Sequence, residues 1–173
     1  MFTEILRNQP LVLTTLTNVK HQLNIIDFDD DDSYIRLLID AAAEVCEKYT
    51  NRLFSECTVT GEFPISQLSV RLPYSPIINI TSVKIGDEDL TYSFNQFSDI
   101  LTITDTTADP YSSATVIYTA GFTPSTIPNL VKHACNILVA DFYKNRESET
   151  ELSVNSIPLG ATKLLDAYKL ILL

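Results

Sequence analysis

The chain has 173 residues, 45% hydrophobic and 20% charged, the balance of a soluble globular protein with one domain, or one domain and an arm. Its formal net charge is -10, with 22 acidic side chains against 12 scattered Lys and Arg, which disfavours tight DNA binding through phosphate neutralisation while leaving brief contact open. No run is long enough to span a membrane, and MFTEILRNQPLVL lacks both a basic start and a cleavable apolar core, so synthesis in a reducing cytoplasm is expected.

After an irregular start, Thr15 is placed to cap a short helix over 15–24, with Leu16, Val19 and Leu23 at helical spacing and Asn24 as its stop. A second helix over 33–51 carries Tyr34, Ile35, Leu38, Ile39, Ala42, Cys46 and Tyr49 on one apolar face. The run Asp27-Phe28-Asp29-Asp30-Asp31-Asp32 precedes it. Counted from Asp27 or Asp29, an EF-hand loop would need a glycine at its sixth position and a glutamate at its twelfth, and neither is there. The run therefore reads as carboxylates gathered at a helix N-terminus, where the dipole and the unpaired amides favour them.

From 53 to 119 the pattern changes to short β-rich runs: Thr58 to Phe63, Ser69 to Leu72, Ile77 to Ile85, Leu90 to Phe94, Ile100 to Thr104, and a β-branched run ending in Tyr118. Gly86-Asp87-Glu88-Asp89 reads as a hairpin connection, and Pro73 and Pro76 keep their own segment out of a central strand. Ala120-Gly121-Phe122 then turns the chain into a helix over 127–146. Thr126 or Ser125 is expected to cap it and Pro128 to sit in its first turn. Leu130, Val131, Ala134, Ile137, Leu138, Asp141 and Phe142 make a stripe, widened by Cys135 and Val139, that predicts a helix buried on more than one side.

Beyond Arg146 comes the polar linker SETELSVNS, and then a final amphipathic segment with Ala161, Leu164, Leu165, Tyr168 and Leu172 on one face. Two readings stand: a docking arm over 148–173 beside a body over 1–147, or a helix that folds back on its own core. The expected fold class is α+β, a helical core of two long helices and two short ones with a β-rich insertion between the long pair.

No phosphate loop, H-E-x-x-H, C-x-x-C or G-x-S-x-G occurs, and only 4 glycines are present. No catalytic, cofactor-binding or metal-ligating residue is therefore expected. His21 and His133 read as partly buried or surface histidines. Cys46, Cys57 and Cys135 read as buried thiols, better than as a disulfide or a metal site.

The succession TTLTNVKHQLNI, DDDDSYIRLLIDAAAEVCEKYTNR, VRLPYSPIINITSVKIGDEDLTYSF, VIYTAGFTPSTIPNLVKHACNILVADFYKNRES and SIPLGATKLLDAYK resembles the head-tail connector (adaptor) family of tailed bacteriophages and prophages. It covers nearly the whole chain, and its specificity lies in the order of the pieces, since YTAGF, PYSP and YTNR are each short. Departures fall at Asp29 to Asp32, Met1 to Pro10 and Ile171 to Leu173.

The resemblance implies a structural virion protein at the head-tail interface, made in the bacterial host cytoplasm, with neither catalysis nor cofactor. It implies a homo-oligomeric ring, commonly dodecameric, below the portal protein. Such a ring passes DNA transiently and without sequence preference, and receives a head-completion or tail connector protein. A stopper or tail terminator is the alternative neck role, and a small cytoplasmic enzyme a more distant one. On this reading Leu159, Leu164, Leu165, Tyr168 and Leu172 are candidates for a portal-docking arm. Asp87, Glu88 and Asp89 are candidates for an acidic tip facing the lumen, where fixed negative charge would keep DNA from sticking.

Overall fold

The computed structural model describes residues 3–66, 68–105, 112–145 and 157–170. Among the described residues it is α+β, with four helices and two antiparallel sheets. In order these are β1 (Thr3–Arg7), α1 (Leu16–Leu23), α2 (Asp32–Thr50), β2 (Cys57–Pro64), β3 (Ser69–Arg71), β4 (Ile77–Ile85), β5 (Glu88–Asp89), β6 (Tyr92–Asn95), β7 (Ile100–Ile103), β8 (Ser113–Ala120), α3 (Asn129–Lys144) and α4 (Leu159–Asp166). The chain forms two compact units. Met1–Pro10 and Ser55–Phe122 make the sheet unit, and Leu11–Phe54 and Thr123–Ile171 make the helical unit.

In the sheet unit, five strands run in the order β1-β2-β8-β4-β5 and three in the order β3-β7-β6, every pairing antiparallel. β2 and β8 alternate strictly, turning Cys57, Val59, Gly61 and Phe63, and Ala114, Val116, Tyr118 and Ala120, to the buried face. Across the ladder Phe63 faces Ala114 and Gly61 faces Val116, so a large side chain meets a small one. A Cβ at Gly61 would come within 2.8 Å of the Phe63 ring, which lies over the glycine. Tyr118 is fully buried, and its hydroxyl donates to the Pro73 carbonyl at 3.1 Å.

The N-terminus differs from its sequence reading. It is not irregular: Thr3–Arg7 forms an edge strand in register with β2, from Thr3 opposite Gly61 to Arg7 opposite Cys57. Four of its five residues are exposed, so no apolar alternation marks it, and its backbone ladder holds it in place.

In the helical unit, α1 begins as its sequence implies. Thr15 accepts from the Asn18 amide at 3.3 Å, and Asn24 closes the helix in the left-handed conformation at φ 63°. α2 ends likewise on Asn51 at φ 55°. Val19, Ile35, Ala42, Ala43, Cys46, Val131, Ala134, Cys135, Leu138, Ala161 and Leu165 are fully buried.

The start of α3 needs a correction. Pro128 is extended, at φ -61° and ψ 137°, so it precedes the first turn, and the helix begins at Asn129 with no side-chain cap. Thr126 does not cap it, because its hydroxyl is used in the preceding turn, accepting from the Thr123 amide at 3.0 Å. Leu130 is exposed and lies off the buried stripe.

Candidate assembly surfaces

β4 returns into β5 through Gly86-Asp87, with Ile85 opposite Glu88 and Lys84 opposite Asp89. Gly86 takes φ 57°, which a two-residue hairpin turn demands and glycine supplies without strain. Asp87, Glu88 and Asp89 are all exposed at this tip. Lys84 pairs with Asp89 at 3.4 Å, so that carboxylate is partly balanced, while Asp87 and Glu88 share the same short turn. The sheet unit as a whole has nine carboxylates against Arg7, Arg71 and Lys84.

The second candidate surface is α4 and the residues after it. Ala161 and Leu165 are fully buried against the helical unit, Leu164 and Tyr168 are half-buried, and Leu159 is exposed. Leu172 and the linker SETELSVNS lie outside the described residues. What holds this segment comes from the end of α2. The Tyr49 hydroxyl donates to Asp166 at 2.5 Å, and the Lys169 ammonium lies 4.7 Å from the Tyr49 ring centre. Asn51 donates to the Leu170 carbonyl at 3.1 Å, Arg52 Nε to the Tyr168 carbonyl at 2.6 Å, and the Leu170 amide to the Thr50 carbonyl at 2.8 Å. The hydrogen bond to Asp166, then burial, raises the Tyr49 hydroxyl above its ordinary pKa. Residues 49–52 spell YTNR, a piece of the resemblance whose part in gripping the C-terminal segment the sequence reading did not see.

The aspartate run is a knot of cross-helix contacts. Lys20, on α1, bonds Asp29 at 2.5 Å and Asp32 at 2.9 Å, and Asp31 accepts from the Tyr143 hydroxyl of α3 at 2.6 Å. The expected capping by these carboxylates is not seen: Asp31 holds the N-cap position but makes no side-chain cap bond. Among the described residues, no group of three or more His, Cys, Asp or Glu side chains gathers as a metal site, and no helix is long and apolar enough to cross a membrane. His21 and His133 are exposed. All three cysteines are buried thiols outside any disulfide. Cys135 is held strongly protonated by its hydrogen bond with Cys46 and by burial.

This fold is one found in the neck of gene transfer agent (GTA) particles. The structure "Neck of empty GTA particle computed with C6 symmetry" aligns over 100% of this chain and 97% of the other, with a TM-score of 0.74 at 16% identity. "Virion of native gene transfer agent (GTA) particle" aligns over the same shares, with a TM-score of 0.72 at 16% identity. "Neck of native GTA particle computed with C12 symmetry" aligns over 98% and 97%, with a TM-score of 0.68 at 14% identity. No curated protein matches the chain by sequence. The chain belongs to the head completion protein family, whose model matches residues 12–162.

Proposed function

We propose that this protein is a structural virion component of the neck, a head-tail connector that forms a ring below the portal, passes DNA and receives the next connector or tail component. The observation that carries the proposal is the end-to-end likeness to neck structures, in a chain whose family is defined by head completion. On this reading the helical unit is the core of the connector and the β-rich stretch its insertion. The protein acts by shape and charge, without catalysis or cofactor. Neck structures computed with sixfold and twelvefold symmetry favour a ring of twelve, which satisfies both.

Two local roles belong to the proposal. Asp87, Glu88 and Asp89 face the lumen, in a unit so poor in cations that phosphates find few partners. The C-terminal segment engages the portal through Leu159 and the half-buried Leu164 and Tyr168, with Leu172 beyond them and Leu165 as its anchor in the helical unit. The family description is also compatible with a stopper that closes a filled head, and portal affinity separates the two.

The test is native mass and electron microscopy of the purified chain with and without portal. A ring that forms alone or on the portal is expected. A chain that stays monomeric in both conditions and does not bind portal overturns the proposal.

A further inference from the structure

We infer that β1 is the strand through which one copy of this chain joins the next, adding to the outer edge of β4 in a neighbouring copy so that the larger sheet continues from protomer to protomer. The inference rests on the ring reading above and assigns its junction.

Three features of the sheet unit lead there. The first is the outer side of β1, the edge strand of its sheet. The Asn8 amide donates to the Glu56 carbonyl at 3.0 Å, continuing the β1–β2 register. Backbone direction alternates along a strand, so Leu6 and Glu4 also address β2, whereas Thr3 and Ile5 turn their N–H and C=O away from it. Among the described residues no strand pairs with β1 on that side. The strand also exposes 38% of Ile5 and 66% of Leu6, one on each face and lying between the charged Glu4 and Arg7, apolar surface that a further strand would cover.

The second feature is the far side of β4. Among the described residues that side meets β5 only at Lys84 and Ile85, with the Leu90 amide on the Val83 carbonyl. The stretch from Ile77 to Ser82 has no ladder partner there among the described residues, and Ile78 on it is 47% exposed. A five-residue β1 fits alongside this stretch of six. Both register shifts of the β4–β8 ladder, between Ile77 and Asn79 and between Ile80 and Ser82, fall in the same stretch. Bulges of this kind bend a strand and sharpen its twist, and a sheet closing round a ring needs such a bend at its junctions.

The third feature is parity. β1, β2, β8 and β4 alternate in direction, so β1 and β4, at the two ends of the four, run oppositely. A copy generated by rotation about an axis roughly along the strands keeps the direction of its own β1. That β1 therefore meets the preceding β4 antiparallel, as in every other pairing of the sheet. The contact is head-to-tail, using two different edges, and repeats until the rotation closes.

The experiment uses the full chain under conditions where the unaltered protein assembles, with portal if portal is required. Ile5→Pro removes an outward amide while leaving the β1–β2 ladder intact, and should raise the protein concentration needed for assembly at least about tenfold with an unchanged melting temperature. A chain carrying both Ile5→Cys and Ile78→Cys should give, on mild oxidation by glutathione disulfide, a ladder of covalent oligomers ending at the ring number. The single variants should give none. Rings that survive Ile5→Pro and yield no ladder overturn the β1–β4 junction and leave the ring standing. Absence of any ring from the unaltered protein overturns the ring reading itself.

Discussion

Lys20 shows how a single side chain ties together segments that the sequence lists separately. Its two carboxylate partners hold its ammonium above the ordinary amine pKa, with the bond to Asp29 first and that to Asp32 next. A group raised on folding stabilises fully below its unfolded value, near 10.5, and loses that contribution as pH rises through the higher folded value. Tyr118 acts in the same direction in the sheet unit, raised far above its usual 10.0 by burial first, then by Tyr74 and Asp99. Thermal melts should therefore show stability falling steadily above about pH 10, and Lys20→Met should both lower the melting temperature at pH 7 and flatten that fall. Glu47 is buried, and its Oε1 accepts from the Phe54 amide at 2.7 Å. Glu47→Ala should cost about 1–3 kcal/mol in denaturant titration, because a buried amide loses its acceptor. The sequence marks the aspartates as a helix start, but their cation lies on another helix, nine and twelve residues away, and spacing alone does not single it out.

At the scale of elements, what could be read in advance was whatever repeats or caps. α1 with Thr15 and Asn24, the apolar face of α2, the strict alternation of β8 and the Gly86 turn all announce themselves through periodicity or a residue with a special backbone preference. β1 does not, because an exposed edge strand need bury neither face. The grip of residues 49–52 on residues 166–170 was also invisible, since its bonds go largely to backbone carbonyls, which any sequence supplies. Two predictions belong here. Leu165→Ala should destabilise the helical unit by about 2–5 kcal/mol, the usual cost of emptying a fully buried leucine site, as read by denaturant unfolding. Arg52→Ala should speed hydrogen exchange of the Leu170 amide while leaving the α1 amides unchanged, since the lost bond lies beside the one from Leu170 to Thr50.

For the whole molecule, the charge is unevenly divided. The sheet unit holds nine carboxylates and three cations, while the helical unit holds thirteen and nine. If the acidic tip lines the DNA path, replacing Asp87 and Asp89 by Asn and Glu88 by Gln should slow DNA release from assembled particles, most strongly at low salt. Release unchanged at every salt concentration would remove the tip from that path. Charge and composition argue against a DNA clamp, and the order of the motifs could point to the family. They could not show which surfaces meet a partner, because edges and exposed faces arise only once distant segments pair.

The division into two units also governs how the molecule is made. Each is assembled from separated stretches of chain, and β1 must wait about fifty residues for β2. α2 stays longer without α3, its main packing partner, whose first residue is Asn129. Nascent chains therefore complete the sheet unit first, with the apolar face of α2 still uncovered, a stage at which chaperone capture and premature association compete with folding. A chain stopped at Phe122 should reproduce that stage, with β-rich circular dichroism and strong binding of a hydrophobic dye that the 173-residue chain lacks.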